Sequence, residues 1–170
     1  MRLGTDFFSN DALWLAENLL GKRLFRRFDD GWVGEYIITD TEAYFGEDDL
    51  ACHASKGRTP RTEVMYREGG KIYVYLIYGM HWLLNFVSGT PDHPQAVLIR
   101  GLQGINGPGK VGKTLQLNKT FYGEDLCTSE RMWVEDAPKI TGFHTAPRVG
   151  IDYAGEVWKN KLWRYYVVTK

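Results

Sequence analysis

Apolar residues recur at helical spacing near the start of the chain, at Leu13, Ala16, Leu19 and Leu20, with Ser9 or Asn10 placed to cap the helix and Gly21 to stop it. After Gly21 the period shortens to two. Residues 22–28 and 32–43 predict a hairpin about Asp29-Asp30-Gly31. In its second strand Ile37 and Thr39 point one way, Ile38 and Asp40 the other. A loop with acid and Gly46 follows Tyr44, and the stretch through Leu50 and His53 is compatible with a short helix. Residues 56–61 read as a basic loop broken by Pro60. Residues 73–85, YVYLIYGMHWLLN, predict a second hairpin that turns at Gly79 with Tyr78 at its tip. Residues 95–101 form another strand, the run AVLIR ending in a charge. A helix is expected over residues 110–117, and closing strands over 149–153 and 163–168. Residues 118–145 carry no clear period, although Ser129 could cap a short piece.

Strands joined by tight turns pair antiparallel, and here helices lie before, between and after them. The expected class is therefore α+β: one compact domain over residues 1–170, with a curved, mostly antiparallel sheet, flanking helices and a protruding Tyr-tipped hairpin. A chain of 170 residues with 44% hydrophobic content has enough apolar mass for one core. There is no repeat, no low-complexity segment and no apolar run long enough to span a membrane. The opening MRLGTDFF has no apolar stretch of signal-peptide length. Cys52 and Cys127 do not make a disulfide framework, which suits reduced thiols in a cytoplasmic protein. The four His and two Cys lack zinc-ligand spacing, so no structural metal is expected.

The formal net charge is zero, which is unusual for a nucleic-acid binder. The charge is sorted, however. Lys22, Arg23, Arg26 and Arg27 cluster, as do Arg58, Arg61, Arg67 and Lys71, and then Lys110, Lys113 and Lys119; acid gathers at Glu47-Asp48-Asp49 and Glu124-Asp125. A mixed-charge surface is the plainer reading of any one cluster.

Two stretches carry candidate chemistry. The strand ending Thr41-Glu42-Ala43-Tyr44 sets a carboxylate and an aromatic on one face at a loop mouth, an arrangement able to hold a flat ring and aim a water at it. Gly107-Pro108-Gly109-Lys110-Val111-Gly112-Lys113-Thr114 matches the P-loop pattern, in which backbone N–H groups and a lysine cradle phosphates. The context argues against nucleotide hydrolysis. The gap from the preceding strand is long, and no later apolar strand ends in an aspartate for magnesium. The same basic, Gly-rich helix start could instead touch a DNA phosphate.

TDTEAY, His53, YVYLIYGM, Asn85 and VLIR ending at Arg100, followed by GPGK, LNK and RVGI-YAGE, resemble the alkyladenine (3-methyladenine) DNA glycosylase family in order and spacing. The likeness runs from Leu3-Gly4 and Phe7-Phe8 to WRYYV. It implies a base-excision-repair hydrolase, monofunctional and monomeric, that acts on double-stranded DNA containing damaged purines and needs no cofactor. Glu42 would activate the water, and Arg100 would stand near that water and a phosphate. Tyr44 and His53 on one side and Tyr75 on the other would sandwich the flipped base, with the His53 main chain donating to the base edge. Asn85 would clash with the exocyclic amino group of guanine. Tyr78 would fill the space the base leaves. Arg58, Arg61, Gly109 and Lys110 are candidate backbone contacts. With no lysine among the residues given a role at the base or the water, water is the expected nucleophile. The implied lesions are 3-methyladenine, 7-methylguanine, hypoxanthine and ethenoadenine.

The chain departs from the family at His81, where Tyr or Phe is common, and it is shorter than vertebrate relatives around 101–107 and at the amino end. A catalytically silent DNA-damage binder is the alternative from another class, and a P-loop hydrolase a third. Glu42 speaks against the silent binder, because binding alone does not require it.

Overall fold

The computed structural model describes residues 1–168. A short helical turn, α1 (Thr5–Phe8), precedes α2 (Ala12–Leu19). The cap of α2 is Asp11, not Ser9 or Asn10: its Oδ1 accepts the Trp14 N–H at 2.8 Å, while Ser9 bonds back to the Thr5 carbonyl and so belongs to the turn before. Ala12, Leu15, Ala16 and Leu19 form one fully buried face. Each leucine buried this way contributes roughly 1.5–3 kcal/mol. Two buried hydrogen bonds fix the helix on the strands beneath: Thr41 Oγ1 to the Ala16 carbonyl, and the Ala12 N–H to Gln95 Oε1, each at 2.7 Å.

The sheet is built from β1 (Arg23–Arg27), β2 (Val33–Phe45), β3 (Ile72–Ile77), β4 (His81–Ser88), β5 (Gln95–Leu102), β6 (Ile105–Asn106), β7 (Met132–Glu135), β8 (His144–Ala146) and β9 (Arg164–Tyr166). Its order is β3-β4-β5-β2-β1-β7, with β6 on β5, β9 on β2 and β8 on β9. Every pairing is antiparallel. α3 (Pro108–Thr114) lies over β4 and β5, and α4 (Gly155–Lys159) follows late in the chain. The architecture is α+β, and among the described residues no helix is long and apolar enough to cross a membrane.

Three further sequence expectations change. Residues 149–153 do not form a strand: Gly150 and Gly155 take positive φ, and between them lies a 3₁₀ turn, Asp152–Ala154, that leads into α4. The helix expected over 110–117 starts earlier, with Pro108 in its first turn, and ends at Thr114. The turn near His53 is a 3₁₀ turn at His53–Lys56 rather than a helix through Leu50. The unread stretch 118–145 holds β7, and Ser129 Oγ accepts the N–H groups of Arg131 and Met132 just ahead of it.

The feature that shapes the site is an irregularity where β2 meets β5. Ile38 pairs with Leu102 and Glu42 with Leu98, but between them the register shifts twice, leaving Thr39 and Arg100 without a directly opposed partner. Four residues apart, Ile38 and Glu42 would share a face in a regular strand. Instead Ile38 and Leu102 enter the main core, whereas Glu42 and Leu98 turn to the opposite face. Gly101 permits the crossing, since a Cβ there would meet Asp40 Cβ at 3.0 Å.

Candidate active site

Beyond the crossing, strand alternation sorts the sheet cleanly. Ile72, Val74, Leu84, Phe86, Val97, Ile99 and Ala43 face the core under α2. The residues between them face the other way. Glu42 is paired with Leu98, Leu98 with Asn85 and Asn85 with Tyr73, so these four lie in one row across β2, β5, β4 and β3. The row on one side of it holds Tyr44 opposite Ala96, and the row on the other side holds Tyr75 opposite Leu83. Together they floor a cleft of about 520 Å³, walled by His53, Arg100, Tyr78, Val149 and Tyr153. That volume suits a small flat ligand.

Glu42 is fully buried at the bottom. Its Oε1 accepts the Tyr44 hydroxyl at 2.8 Å and its Oε2 the Val149 N–H at 2.7 Å. Burial pushes this carboxyl up; the Val149 N–H, then the Tyr44 hydroxyl, then the Arg100 charge oppose the rise. Arg100 reaches the cleft from its irregular position in β5, and its nearest carboxylate is Asp40, at 3.9 Å. Arg164 already holds Asp40 through two bonds of 3.1 and 2.7 Å, so Arg100 keeps donors available for a ligand.

Tyr44, His53 and Tyr75, the residues expected to sandwich a flat ring, all line the cleft. The His53 and Tyr75 rings touch, with centroids 4.5 Å apart at 71°. The two rings thus pack on each other at one side of the Glu42 row, and Tyr44 lies on the other side of that row. Burial and the charges of Arg61 and Lys56 lower His53 to about 4, and its Nδ1 shares a 2.7 Å hydrogen bond with the Tyr73 hydroxyl. As the first residue of its 3₁₀ turn, His53 has a main-chain N–H with no acceptor inside that turn. Asn85 is buried, and its Nδ2 donates to the Tyr73 carbonyl at 3.2 Å, a bond across strands rather than to its own backbone.

Tyr78 is 88% exposed at the hairpin tip. Its φ is 52° and that of Gly79 is 65°, as the two central residues of a type I′ turn require. A bulky residue is costly there, where Asn or Gly would sit more easily. The tyrosine is therefore not present for the sake of the turn.

The basic candidates separate. Arg58 is engaged within the protein, paired with Glu63 at 2.8 Å and Asp92 at 3.5 Å and lying over the Tyr66 ring. Arg61 is exposed and stands 5.1 Å over the Tyr75 ring. Gly109 lies against the His81 ring and Lys110 is exposed, both near Pro108 at the cleft edge. The P-loop pattern does not form a phosphate loop. Five of its eight residues precede Gly112, which is already inside α3, and Lys113 lies in the last turn of that helix instead of at its start. Among the described residues no three His, Cys, Asp or Glu side chains gather as a metal site would need.

Asp49, Arg148 and the Val149 N–H take part in the site without a role that residue pattern alone assigns. Asp49 looked like one of three acids in a solvated loop, and a main-chain donor leaves no trace in residue types. Arg148 had one usable signal, its place at the head of the motif RVGI.

A model of the methylpurine-DNA glycosylase (MPG) family matches residues 6–106 and 103–170. A protein of Methanocella arvoryzae, provisionally named 3-methyladenine DNA glycosylase, is 40% identical over 184 residues, covering 96% of this chain and 91% of that one. Proteins of the same provisional name from Natranaerobius thermophilus and Borreliella burgdorferi are 39% and 40% identical, covering 98% and 95% of this chain and 96% and 93% of their own. Motif order, an aromatic cleft closed on a buried glutamate, and identity sustained along almost the whole length agree: the chain belongs to the methylpurine-DNA glycosylase family.

Proposed function

We propose that this protein is a monofunctional base-excision-repair glycosylase that hydrolyses the N-glycosidic bond of alkylated or deaminated purines turned out of duplex DNA. The observation that carries the reading is Glu42, an ionisable carboxyl held by two donors on the floor of an aromatic cleft. In the proposed step the bond from C1′ to the purine breaks and its electron pair leaves with the base. The sugar left behind is oxocarbenium-like, and the nearby carboxylate stabilises it. Water bonds to C1′ and gives its proton to Glu42. The products are a free purine and an abasic site. A cationic 3-methyladenine or 7-methylguanine leaves as a neutral base and needs no proton; hypoxanthine and ethenoadenine need one as they leave.

Tyr44 on one side and the Tyr75–His53 wall on the other favour a flat, positively charged ring. Asn85 is fixed by its bond to Tyr73 and presents a polar edge to that ring. Arg100, with donors to spare, suits the phosphate of the extruded nucleotide. A silent damage binder would gain nothing from Glu42, because burying a carboxylate costs free energy that binding alone does not recover. The test is single-turnover release from duplexes carrying one 7-methylguanine or one hypoxanthine. Free base from either duplex, with strand breaks only after alkali, is the expected result. Tight binding with no release from either would favour the silent binder, and breaks without alkali would remove the monofunctional assignment.

Tyr78 is the proposed wedge for the space the base vacates. Stacking of this kind is worth ~1–3 kcal/mol per base, so Tyr78→Asn is expected to weaken binding to lesion duplex by roughly 5- to 150-fold. Asn tolerates the left-handed backbone at this position, so the variant should melt no lower than wild type. Undiminished binding would remove the wedge role.

A further inference from the structure

Behind the cleft lies an ion pair that the proposed chemistry does not itself use. Arg148 and Asp49 have fully buried side chains and are joined by two bonds, Nη1–Oδ2 at 2.6 Å and Nη2–Oδ1 at 3.0 Å. The remaining Nη donors reach the Ala43 carbonyl at 3.0 Å and the Trp158 carbonyl at 3.2 Å. The guanidinium lies 4.9 Å from the ring of Tyr44 and 4.9 Å from that of Trp163. Asp49 in turn accepts the N–H groups of Phe45 and Ala51. Burying two opposite charges is weak evidence for a stabilising role, since desolvation offsets much of their attraction. What the pair does is geometric. It ties the end of β2, on which Glu42 and Tyr44 stand, to the segment that begins at Arg148. The residue after Arg148 supplies the N–H on Glu42 Oε2, and the ring beneath its guanidinium carries the hydroxyl on Oε1.

We propose that the buried Asp49–Arg148 pair is a positioning unit for Glu42, holding both hydrogen-bond donors that close on that carboxylate. The inference rests on Glu42 acting as the base. Other groups also face Glu42: Asp40 and Tyr44 on β2, Arg100 on β5, Arg164 on β9, Tyr75 on β3 and Tyr153 beyond Val149. None of these is removed by changing the pair. A misplaced donor no longer opposes the rise that burial imposes on the Glu42 carboxyl, so the acidic limb of the rate profile should move to higher pH.

The experiment is single-turnover release of 7-methylguanine against pH, a substrate whose departure needs no added proton. Wild type is compared with Arg148→Lys, Asp49→Asn and the milder Trp163→Leu, which removes one ring from the guanidinium while leaving the pair intact. The expected result is an upward move of the acidic limb, by about one pH unit in the first two variants and less in the third. One unit is a tenfold loss of rate below the limb, with much of the rate regained above it. A rate lowered by one common factor at every pH would overturn the proposal and leave the pair a packing element. Loss of the folded state in the first two variants, with an unmoved limb in Trp163→Leu, would overturn it as well. Glu42→Gln separates the two claims. If it retains wild-type activity, the reading of Glu42 as base has failed. If it is inactive while the limbs of the folded variants coincide with wild type, only the positioning claim has failed.

Discussion

Glu42→Gln is expected to release 7-methylguanine about a thousandfold more slowly than wild type, within the range usual for loss of a positioned acid–base group. The amide is nearly isosteric with the carboxylate. It can still accept the Val149 N–H and meet the Tyr44 hydroxyl, so the cleft should keep its shape. What it cannot do is take a proton from water or stabilise a positive sugar. Stability should move the other way. Burial raises the Glu42 pKa above its ordinary 4.5, so the fold favours the protonated carboxyl. A group of that kind contributes stability below its unfolded pKa and loses it as pH rises through the folded pKa. At neutral pH the ionised residue therefore costs stability, and the variant should melt at a higher temperature. The gap should close in acid. Single-turnover rates and thermal melts at two pH values check both halves. Unchanged activity would remove Glu42 from the mechanism. Lost activity together with a lower melting temperature would assign the loss to a damaged fold.

That opposition between activity and stability bears on how the site could be read from the chain. The spacing of Glu42 and Tyr44 was legible, because two residues apart on a strand means one face. The same rule, carried back to Ile38, would have put Glu42 in the core. The double irregularity at Thr39 and Arg100 reverses the faces, and nothing local in ITDTE announces it. Tyr78 was legible because an aromatic beside Gly79 at a turn has nowhere to bury. Residues 149–153 misled because Val149, Ile151 and Tyr153 alternate as a strand would, while Gly150 and Gly155 have the positive φ that ends one. Asp49 and Arg148 are 99 residues apart, and long-range pairing of that kind is set by tertiary packing rather than local pattern. The packing of the His53 ring on Tyr75 is set in the same way. Which ring His53 touches depends on how the 53–56 turn settles on β3.

Gly112→Ala is expected to destabilise the protein by about 3–5 kcal/mol, the range of a severe steric substitution, and to lower the melting temperature by roughly 10 °C in a chain of this size. A Cβ at this position would lie 1.9 Å from the Trp82 carbonyl oxygen, so the backbones of α3 and β4 would have to separate. The helix-propensity gain of Ala over Gly, ~1 kcal/mol, is too small to compensate. Lys113→Ala should do almost nothing to stability or activity, because its exposed side chain lies in the last turn of α3. The two substitutions fall on adjacent positions of the P-loop pattern, and a nucleotide hydrolase would demand the reverse emphasis. There the lysine would be indispensable, and nucleotide binding would vanish with it. Thermal melts of both variants, with base release measured on each, decide the matter. A stable Gly112→Ala would show that α3 does not pack on β4 as described. An inactive but folded Lys113→Ala would restore a phosphate-binding role to this stretch. Gly112 is here so that α3 can lie directly on β4, and the start of that helix, at Pro108, lines the edge of the cleft.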